Sequence, residues 1–461
     1  MADGDPPPSP GAGPSRPQPA EGRPARRRLF VDLSPLRASR DYRLLFAGQA
    51  VSWLGRQVTV VAVPFQVFLL TRSSFAVGLV GLANLGPLVG LSLAGGAIAD
   101  AVDRRKLLVV TQLLLALTSV GLALNAMAGK PALWPPYVLS SLAAGLQGVD
   151  LPTRNAMMPK MVGRERIPAA SALGQILMQV GLVAGPALAG LVIAKVSLAS
   201  AYWLDVATFA VSIGTVVAIR AQPPEGGGTR AGVASVREGL AYLRGRRLLV
   251  STFLIDIDAM VFGMPRALFP ALGTTLYGGG AGTVGLLYAA PGLGALVGAL
   301  LTGWVAGIRR QGRAVVWAVL GWGAAIAAFG LVRWLPLGLL LLAVAGAADV
   351  ISAVFRNTIL QVTVPDALRG RLSSVHIAVV TGGPALGDAE AGAVAALTSA
   401  PVSVVTGGVA CVLGVLVLHR LVPELTAYDA AEAAEDAPSP PEGGPYTRPR
   451  GRTGPGSSGG P

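Results

Sequence analysis

The sequence predicts an all-α membrane protein with twelve transmembrane helices in two pseudo-symmetric six-helix bundles. Three observations support this fold class: the composition, the number of apolar runs and a repeat that relates the two halves of the chain. Hydrophobic residues make up 52% of the 461 residues and charged residues only 13%, whereas soluble domains carry about 25% charged residues. The composition therefore indicates a chain that lies mostly in a lipid bilayer.

Twelve apolar runs are long enough to cross the hydrocarbon core of a bilayer, which takes about 20 residues of helix. The runs are residues 44–70, 77–99, 107–128, 136–157, 171–194, 200–219, 248–272, 283–306, 314–332, 336–356, 373–397 and 401–421. A Gly- and Pro-containing linker at 221–247 divides them into one bundle over 44–220 and a second over 248–421. The polar ends, residues 1–43 and 422–461, are expected to be disordered tails because they contain too little apolar surface to fold.

Lys and Arg residues fall mainly on one side of this predicted topology. Of the 37, we assign 31 to the tails and the loops of one side and four to the loops of the other side. Cytoplasmic loops are enriched in Lys and Arg, so we expect both termini and the linker in the cytoplasm and the chain in the cell membrane. This bias also explains the net charge of +13. No basic stretch has the aromatic or motif context of a nucleic-acid site, so nucleic acid is not an expected partner.

Enzymatic and metal chemistry have little support in the sequence. One cysteine and two histidines argue against a His/Cys metal site. The sequence contains no P-loop motif, and it shows no nucleophile with a matching base. We therefore expect a protein that is not an enzyme and that holds neither a cofactor nor a metal.

Short similarities recur in the same order in the two halves. The segment AVGLVGL at 76–82 returns as TVGLLYA at 283–289, an offset of 207 residues, and the Arg-Asn pair at 154–155 returns at 356–357. Two related six-helix units within one chain are the architecture of many secondary transporters. The repeat therefore predicts a transporter of two equivalent bundles, and a monomer, since one chain supplies both.

The turn between the second and third runs, GGAIADAVDRRK at 95–106, is densely charged. We hypothesise a conformational latch in which Asp100 pairs with Arg104 or Arg105 in one state and releases them in another. Gly96 would let a neighbouring helix approach closely. The alternative is a turn that only fixes the orientation of the chain in the membrane.

This turn resembles the signature loop of the major facilitator superfamily, usually G-x-x-x-D-[RK]-x-G-[RK]-[RK]-[RK]. The matching positions are Gly96, Asp100, Arg104, Arg105 and Lys106. The resemblance implies twelve helices around a central cavity, and transport by alternating access driven by an ion gradient. It also implies that Asp100 and Arg104 help to lock the cytoplasmic side.

The turn departs from the signature at two positions, Ala101 and Asp103; the family commonly has Gly at the second. That departure is similar to the subgroup that contains enterobactin exporters and macrolide efflux proteins. The segments PTRNAMMP at 152–159 and VPDALRGR at 364–371 resemble the same subgroup. These segments do not indicate which substrate is carried.

A second motif, GLVAGPALAG at 181–190, concerns the direction of transport. It resembles the G-x-x-x-G-P-x-x-x-G pattern of family members that export by antiport, through Gly181, Gly185, Pro186 and Gly190. A proline kinks a helix, and we expect the glycines to seat the fifth span against its partner from the other half. The alternative is the ordinary Gly and Pro content of membrane helices.

Ionisable residues in the middle of predicted spans are functional candidates, because each costs about 2.5–3.5 kcal/mol to insert. The candidates are Arg56, Asp256, Asp258, Arg266, Asp388 and Glu390. We hypothesise that Asp256 or Asp258 binds a coupling proton and pairs with Arg56 across the cavity. A static charge network that fixes helix packing is the alternative.

Four amide side chains within the spans are candidates for binding a substrate by hydrogen bonds: Asn84, Gln147, Gln175 and Gln179. Polar residues that join neighbouring helices are the alternative. Together these features predict proton-driven export of small amphipathic molecules, such as drugs, antibiotics or siderophores. The expected partners are a small-molecule substrate and the lipid bilayer. Gradient-driven uptake and a transport-inactive sensor or scaffold are the alternatives.

Overall fold

The structure is a computed structural model that describes residues 32–222, 233–301 and 308–429. Four segments named in the predictions lie outside the described residues. They are residues 1–31 and 430–461 of the tails, 223–232 of the linker and 302–307 at the end of the eighth run. The surroundings of Gly96 and the side chain of Asp100 also lie outside the described set.

Twelve long helices, in the described part of the chain, follow the twelve apolar runs. The first half contains α1 (Arg40–Thr71), α2 (Ser74–Ala101), α3 (Arg104–Met127), α4 (Trp134–Val162), α5 (Ile167–Lys195) and α6 (Leu198–Val217). The second half contains α7 (Arg247–Phe262), α8 (Gly280–Leu301), α9 (Gln311–Leu331), α10 (Leu335–Thr363), α11 (Asp366–Leu397) and α12 (Ala400–Leu421). Short helices at Ser34–Ala38, Val233–Leu243 and Pro423–Ala427 flank them.

Ten of the described helices are long and apolar enough to cross a membrane. The other two, α4 and α11, have 29 and 32 residues and are therefore of matching length. Both pack against α2, α4 from within the first half and α11 from the second half, so both belong to the helical assembly. The predicted all-α membrane fold is confirmed, since the described residues form helices and no strand.

Each half has its own packed interior. In the first half Val58, Phe65 and Tyr202 are almost fully buried, and in the second half Trp322 and Phe355 are. Lipid tails are as apolar as these side chains, so close packing and interhelical hydrogen bonds, not removal from water, hold such helices together.

The helices define two ends of the molecule. We call the end with the α2–α3, α4–α5, α6–α7, α8–α9 and α10–α11 connections the basic end, because most Lys and Arg residues lie there. We call the other end the far end. Contacts between the two halves join α5 to α8 and α2 to α11.

At the far end α5 crosses α8 with its backbone in direct contact. A Cβ built on Gly285 would lie 2.6 Å from Gly190 Cα and 2.6 Å from the carbonyl oxygen of Pro186. A Cβ built on Gly190 would lie 3.0 Å from the carbonyl oxygen of Ala281. Only glycine permits so close an approach of two helices.

The crossing of α2 and α11 at the far end has the same construction. A Cβ on Gly392 would lie 2.7 Å from the carbonyl oxygen of Ser74 and 3.0 Å from Phe75 Cα. Gly78 packs against the backbone of Asp388 in the same way.

The two crossings are related by the sequence repeat. Gly78 and Gly285 differ by 207 positions, the offset of the repeated segment. Gly190 and Gly392 differ by 202, the offset between the two Arg-Asn pairs. The pseudo-symmetry predicted from short similarities is therefore present in the structure as a pair of matched helix crossings.

The two halves separate toward the basic end. On the α2–α11 side, Leu85 is the one described residue near a Cβ built on Gly382, at 3.8 Å, and Val89, one turn further, is 41% exposed. On α5, no described residue lies within 4 Å of a Cβ built on Gly174, and Gln175 is exposed. As far as the described residues define it, the cleft between the halves is therefore closed at the far end and open at the basic end.

The seventh predicted span, 248–272, is interrupted. Helix α7 ends at Phe262, and helical turns resume at Arg266. Pro265 lacks a backbone N–H and its ring restricts the preceding residue, so a regular helix does not continue through it.

Neighbouring helices satisfy the backbone groups that this break exposes. The Trp322 indole donates to the Gly263 carbonyl at 2.9 Å, and the Tyr288 hydroxyl donates to the Arg266 carbonyl at 3.0 Å. Asp388 accepts the backbone N–H of Ala267 at 2.9 Å. Irregular backbone persists inside a membrane only where the protein supplies such partners.

Candidate functional site

A cavity of about 240 Å³ lies between the halves and is lined largely by the first half. Its wall carries hydrogen-bonding groups from α1, α2, α3, α4 and α6, including Asn84, Gln147, Thr118 and Ser140. We call it the polar lobe. Two of the four predicted amides, Asn84 and Gln147, therefore face a cavity, and Asn84 also accepts from the Ser140 hydroxyl at 2.9 Å.

A second cavity of about 230 Å³ lies mainly in the second half. Apolar and aromatic side chains dominate its wall: Met264, Phe269, Trp322, Ile326 and Leu342. We call it the apolar lobe. Val60, Arg266 and Tyr288 line both cavities, so the two lobes meet at these residues.

Arg56 and Asp205 form the charged part of the polar lobe. Asp205 is 2% exposed and accepts from the hydroxyls of Thr59 at 2.8 Å and Ser119 at 2.7 Å. Arg56 stacks on the ring of Trp53 at 4.1 Å and experiences the charges of Asp205 and Asp150. Sequence reasoning did not find the two hydroxyls, because they come from α1 and α3, far from Asp205 in the chain.

Two buried ion pairs lie nearer the basic end, one in each half. Arg154 contacts Asp150 at 2.6 Å within α4, and Arg356 of α10 contacts Asp256 of α7 at 2.8 Å. Both arginines are 4% exposed. His376 lies 4.0 Å from Asp256.

These pairs change two expectations. Arg154 and Arg356 are among the 31 cations that we assigned to tails and loops of one side, but both lie in the interior. The Arg-Asn pair that recurs in the two halves was the sequence signal that could have identified them. Asp256 pairs with Arg356 in this structure and not with Arg56. Since α1 and α7 begin at Arg40 and Arg247, Arg56 lies about 10 Å further along its helix than Asp256, at ~1.5 Å per residue.

Arg266 and Asp388 lie at the α7 break. Arg266 is the first residue of the helical turns that follow the break. The carboxylate of Asp388 on α11 accepts a hydrogen bond from the backbone N–H of the next residue, Ala267. Asp388 also lies within the electrostatic influence of Arg266. The break therefore brings one cation and one carboxylate of the second half to the polar lobe.

Five of the ten predicted charged and amide residues do not line either lobe among the described residues, and Asp256, paired with Arg356, is one of them. Asp258 faces α12, where it accepts a hydrogen bond from the thiol of Cys411. Glu390 is half-buried on α11, and Gln175 and Gln179 lie on the part of α5 near the basic end.

The glycines of the span-5 motif divide between two neighbours. Side chains at Gly181 and Gly185 would collide with Trp53 and Gln57 of α1, in the same half, whereas Gly190 contacts α8 of the other half. Nine residues at ~100° each place Gly181 and Gly190 on opposite faces of a helix. We expected the glycines of the motif to face the other half. Of the three, Gly190 does so, and Gly181 and Gly185 face α1 of their own half.

At the α2–α3 turn, Asp103 caps the N-terminus of α3. Its Oδ1 accepts the N–H groups of Arg105 at 2.9 Å and Lys106 at 3.2 Å, as a helix N-cap does. Arg104 donates to the carbonyl of Ala156 on α4 at 3.3 Å, and Arg105 donates to the carbonyl of Val217 on α6. The arginines thus tie three helices of one half together at the basic end.

Comparison with known proteins agrees with this architecture. The family described as transmembrane secretion effector matches residues 31–450. The enterobactin exporter EntS of Shigella boydii serotype 18 is 30% identical over 412 residues, covering 87% of this chain and 99% of the relative. EntS of Citrobacter koseri is 30% identical over 404 residues, covering 87% and 97%.

Solved structures show the same fold at low identity. The nucleoside transporter NupG superposes with a TM-score of 0.68 at 11% identity, covering 83% of this chain and 98% of that one. The predicted resemblance to the subgroup of enterobactin exporters is confirmed by the relatives. The family and these relatives are transporters and not enzymes. The chain is therefore a multi-pass membrane transporter of the major facilitator superfamily and belongs to its transmembrane secretion effector family.

Proposed function

We propose that this transporter exports small amphipathic molecules of the drug, antibiotic or siderophore type in exchange for protons. The observation that carries the proposal is the two-lobed cavity. Hydrogen-bonding groups such as Asn84 and Gln147 line one lobe, and apolar rings such as Phe269 and Trp322 line the other. A molecule with one polar and one apolar part matches both walls at once.

The shape of the cleft supports loading from the cytoplasm. The basic end faces the cytoplasm if the chain follows the positive-inside rule, and the halves are apart at that end. In this orientation both termini are cytoplasmic, and one monomer contains the complete site. Rocking of the halves would then close the basic end and open the far end.

Similarity and motif support the outward direction of transport. The relatives are named as exporters of enterobactin. The motif at 181–190 resembles that of exporters which work by antiport. We further propose the α2–α3 turn as the conformational latch, with Arg104 and Arg105 as its tethers on α4 and α6.

Deletion of the transporter in its host should raise the accumulation of amphipathic antibiotics or iron-chelating metabolites. Re-expression should restore efflux, and a protonophore should abolish the restored part, because the proton gradient supplies the driving force. Fluorescence or mass spectrometry of cell contents measures the accumulation. Lower accumulation on deletion would indicate uptake and overturn the proposal.

Val60→Trp should block transport by filling the junction of the lobes. Val60 is 45% exposed and lines both lobes, so a larger ring enters the cavity without disturbing packed atoms. We expect efflux to fall at least about tenfold, which corresponds to ~1.4 kcal/mol of lost binding, at an unchanged protein level. Val110→Trp is the matched control, since Val110 is 53% exposed on α3 outside both linings; equal losses in the two variants would contradict the site.

A further inference from the structure

The described residues in or beside the two lobes contain unequal numbers of opposite charges. Four arginines lie in or beside the lobes: Arg56, Arg154, Arg266 and Arg356. Five carboxylates accompany them: Asp150, Asp205, Asp256, Asp349 and Asp388. One carboxylate is therefore in excess within this group.

Four of the five carboxylates have direct partners. Asp150 and Asp256 each contact an arginine. Asp205 accepts from two hydroxyls, and Asp388 accepts a backbone N–H. Each of these contacts stabilises the ionised form.

Asp349 differs from the other four. It lies on α10 and lines the apolar lobe, opposite rings such as Trp322 and Phe269. Among the described residues, its carboxylate has neither a hydrogen bond nor an ion pair within 4.0 Å. An ionised carboxylate that faces apolar walls without a direct partner is less well stabilised than the other four carboxylates.

The charged groups that face Asp349 do not cancel its charge. Arg266 and Asp256 act on it from α7, and Arg356 acts on it from its own helix. Arg356 is already paired with Asp256. Tyr288 of α8 lines the same lobe, and the lobe residues of α9 and α5 are apolar. Arg266 is the one cation among the described residues that line this lobe, and it also acts on Asp388.

Resting on the proposed function, we propose that Asp349 binds the coupling proton. The proton enters from the side with the higher proton concentration, adds to a carboxylate oxygen and leaves from the same oxygen on the other side, so no other reactant is needed. When the proton leaves, the ionised carboxylate attracts Arg266, whose Nε has no partner in this structure. Arg266 sits at the α7 break and lines both lobes, so a movement toward Asp349 changes the wall of the substrate cavity.

Infrared difference spectroscopy on the purified, membrane-reconstituted protein tests the proton site without a substrate. Spectra recorded between mildly acidic and mildly alkaline pH should contain the carbonyl stretch of a carboxylic acid that titrates. Asp349→Asn should remove this band. Asp349→Glu should retain it at a shifted frequency, which separates loss of the proton site from loss of folding. Asp258→Asn is the matched control and should leave the band in place, because Asp258 faces α12 and lies outside both lobes.

The outcomes separate this proposal from the proposed function. A band that persists in Asp349→Asn overturns the assignment, and a band lost instead in Asp256→Asn or Asp258→Asn moves the proton to that residue. Efflux driven by the proton gradient in wild-type cells but lost in Asp349→Asn supports the coupling role. Wild-type efflux that Asp349→Asn leaves unchanged overturns it, although export itself would stand.

Discussion

Gly285→Ala is expected to abolish export while the chain still folds and inserts. The added Cβ would lie 2.6 Å from Gly190 Cα and from the Pro186 carbonyl oxygen, and backbone atoms cannot retreat as a flexible side chain does. Overpacking of this kind costs about 1–3 kcal/mol. Because the contact exists only while the far end is closed, the penalty falls on that state. The population of the closed state should fall by about tenfold or more, at ~1.4 kcal/mol per factor of ten.

Cysteine labelling measures this shift. The native Cys411 is buried, so a cysteine introduced as Asn84→Cys in the polar lobe is the reactive one. A membrane-impermeant maleimide added outside the cell should label the Gly285→Ala protein faster than the wild type. Gly282→Ala is the matched control, because its Cβ would meet only Ala194, at 4.0 Å. Equal labelling of the two variants would show that the crossing is not the closure of the far end.

Arg356→Met is expected to lower the free energy of unfolding by about 3–5 kcal/mol, because it leaves the Asp256 carboxylate buried without its partner. Asp256 is 1% exposed and its contact with Arg356 is 2.8 Å. The double variant Asp256→Leu/Arg356→Met should recover most of the loss, since an apolar pair of similar volume replaces both charges.

Thermal unfolding in detergent measures both variants. Arg309→Met is the matched control: Arg309 is 72% exposed and lies 3.6 Å from Asp429, and exposed pairs contribute about 0–1 kcal/mol. A double variant as unstable as Arg356→Met would mean that the arginine stabilises the fold by packing and not by its charge.

The fold follows from local properties that a sequence displays directly. Apolar runs of membrane length and the bias of Lys and Arg predict the helices and their alternation, and the order of the weak repeats predicts two halves. The break in α7 could also have been predicted from the sequence, because Gly263 and Pro265 lie in the seventh run. Asp103 directly precedes a helix, so its role as an N-cap follows from the preference for Asp at that position.

The candidate site was less predictable because its contacts join distant parts of the chain. Helical periodicity shows that Asp256 and Asp258 face different ways, but not that Arg356 of α10 approaches the first and Cys411 of α12 the second. Likewise, the hydroxyls that hold Asp205 come from helices whose order in space the sequence does not state. Asp349 becomes notable only when the partners of the other carboxylates are known.

The matched crossings at the far end also show how two copies of one unit have diverged. Counting 202 residues from Pro186 leads to Asp388, and each presents its carbonyl oxygen to the glycine of the opposing helix. The proline of one half thus corresponds to an aspartate in the other half. The backbone contact between the helices is the same at both crossings, so the side chain at this position is not needed for it, and in the second half the Asp388 carboxylate instead accepts the N–H of Ala267.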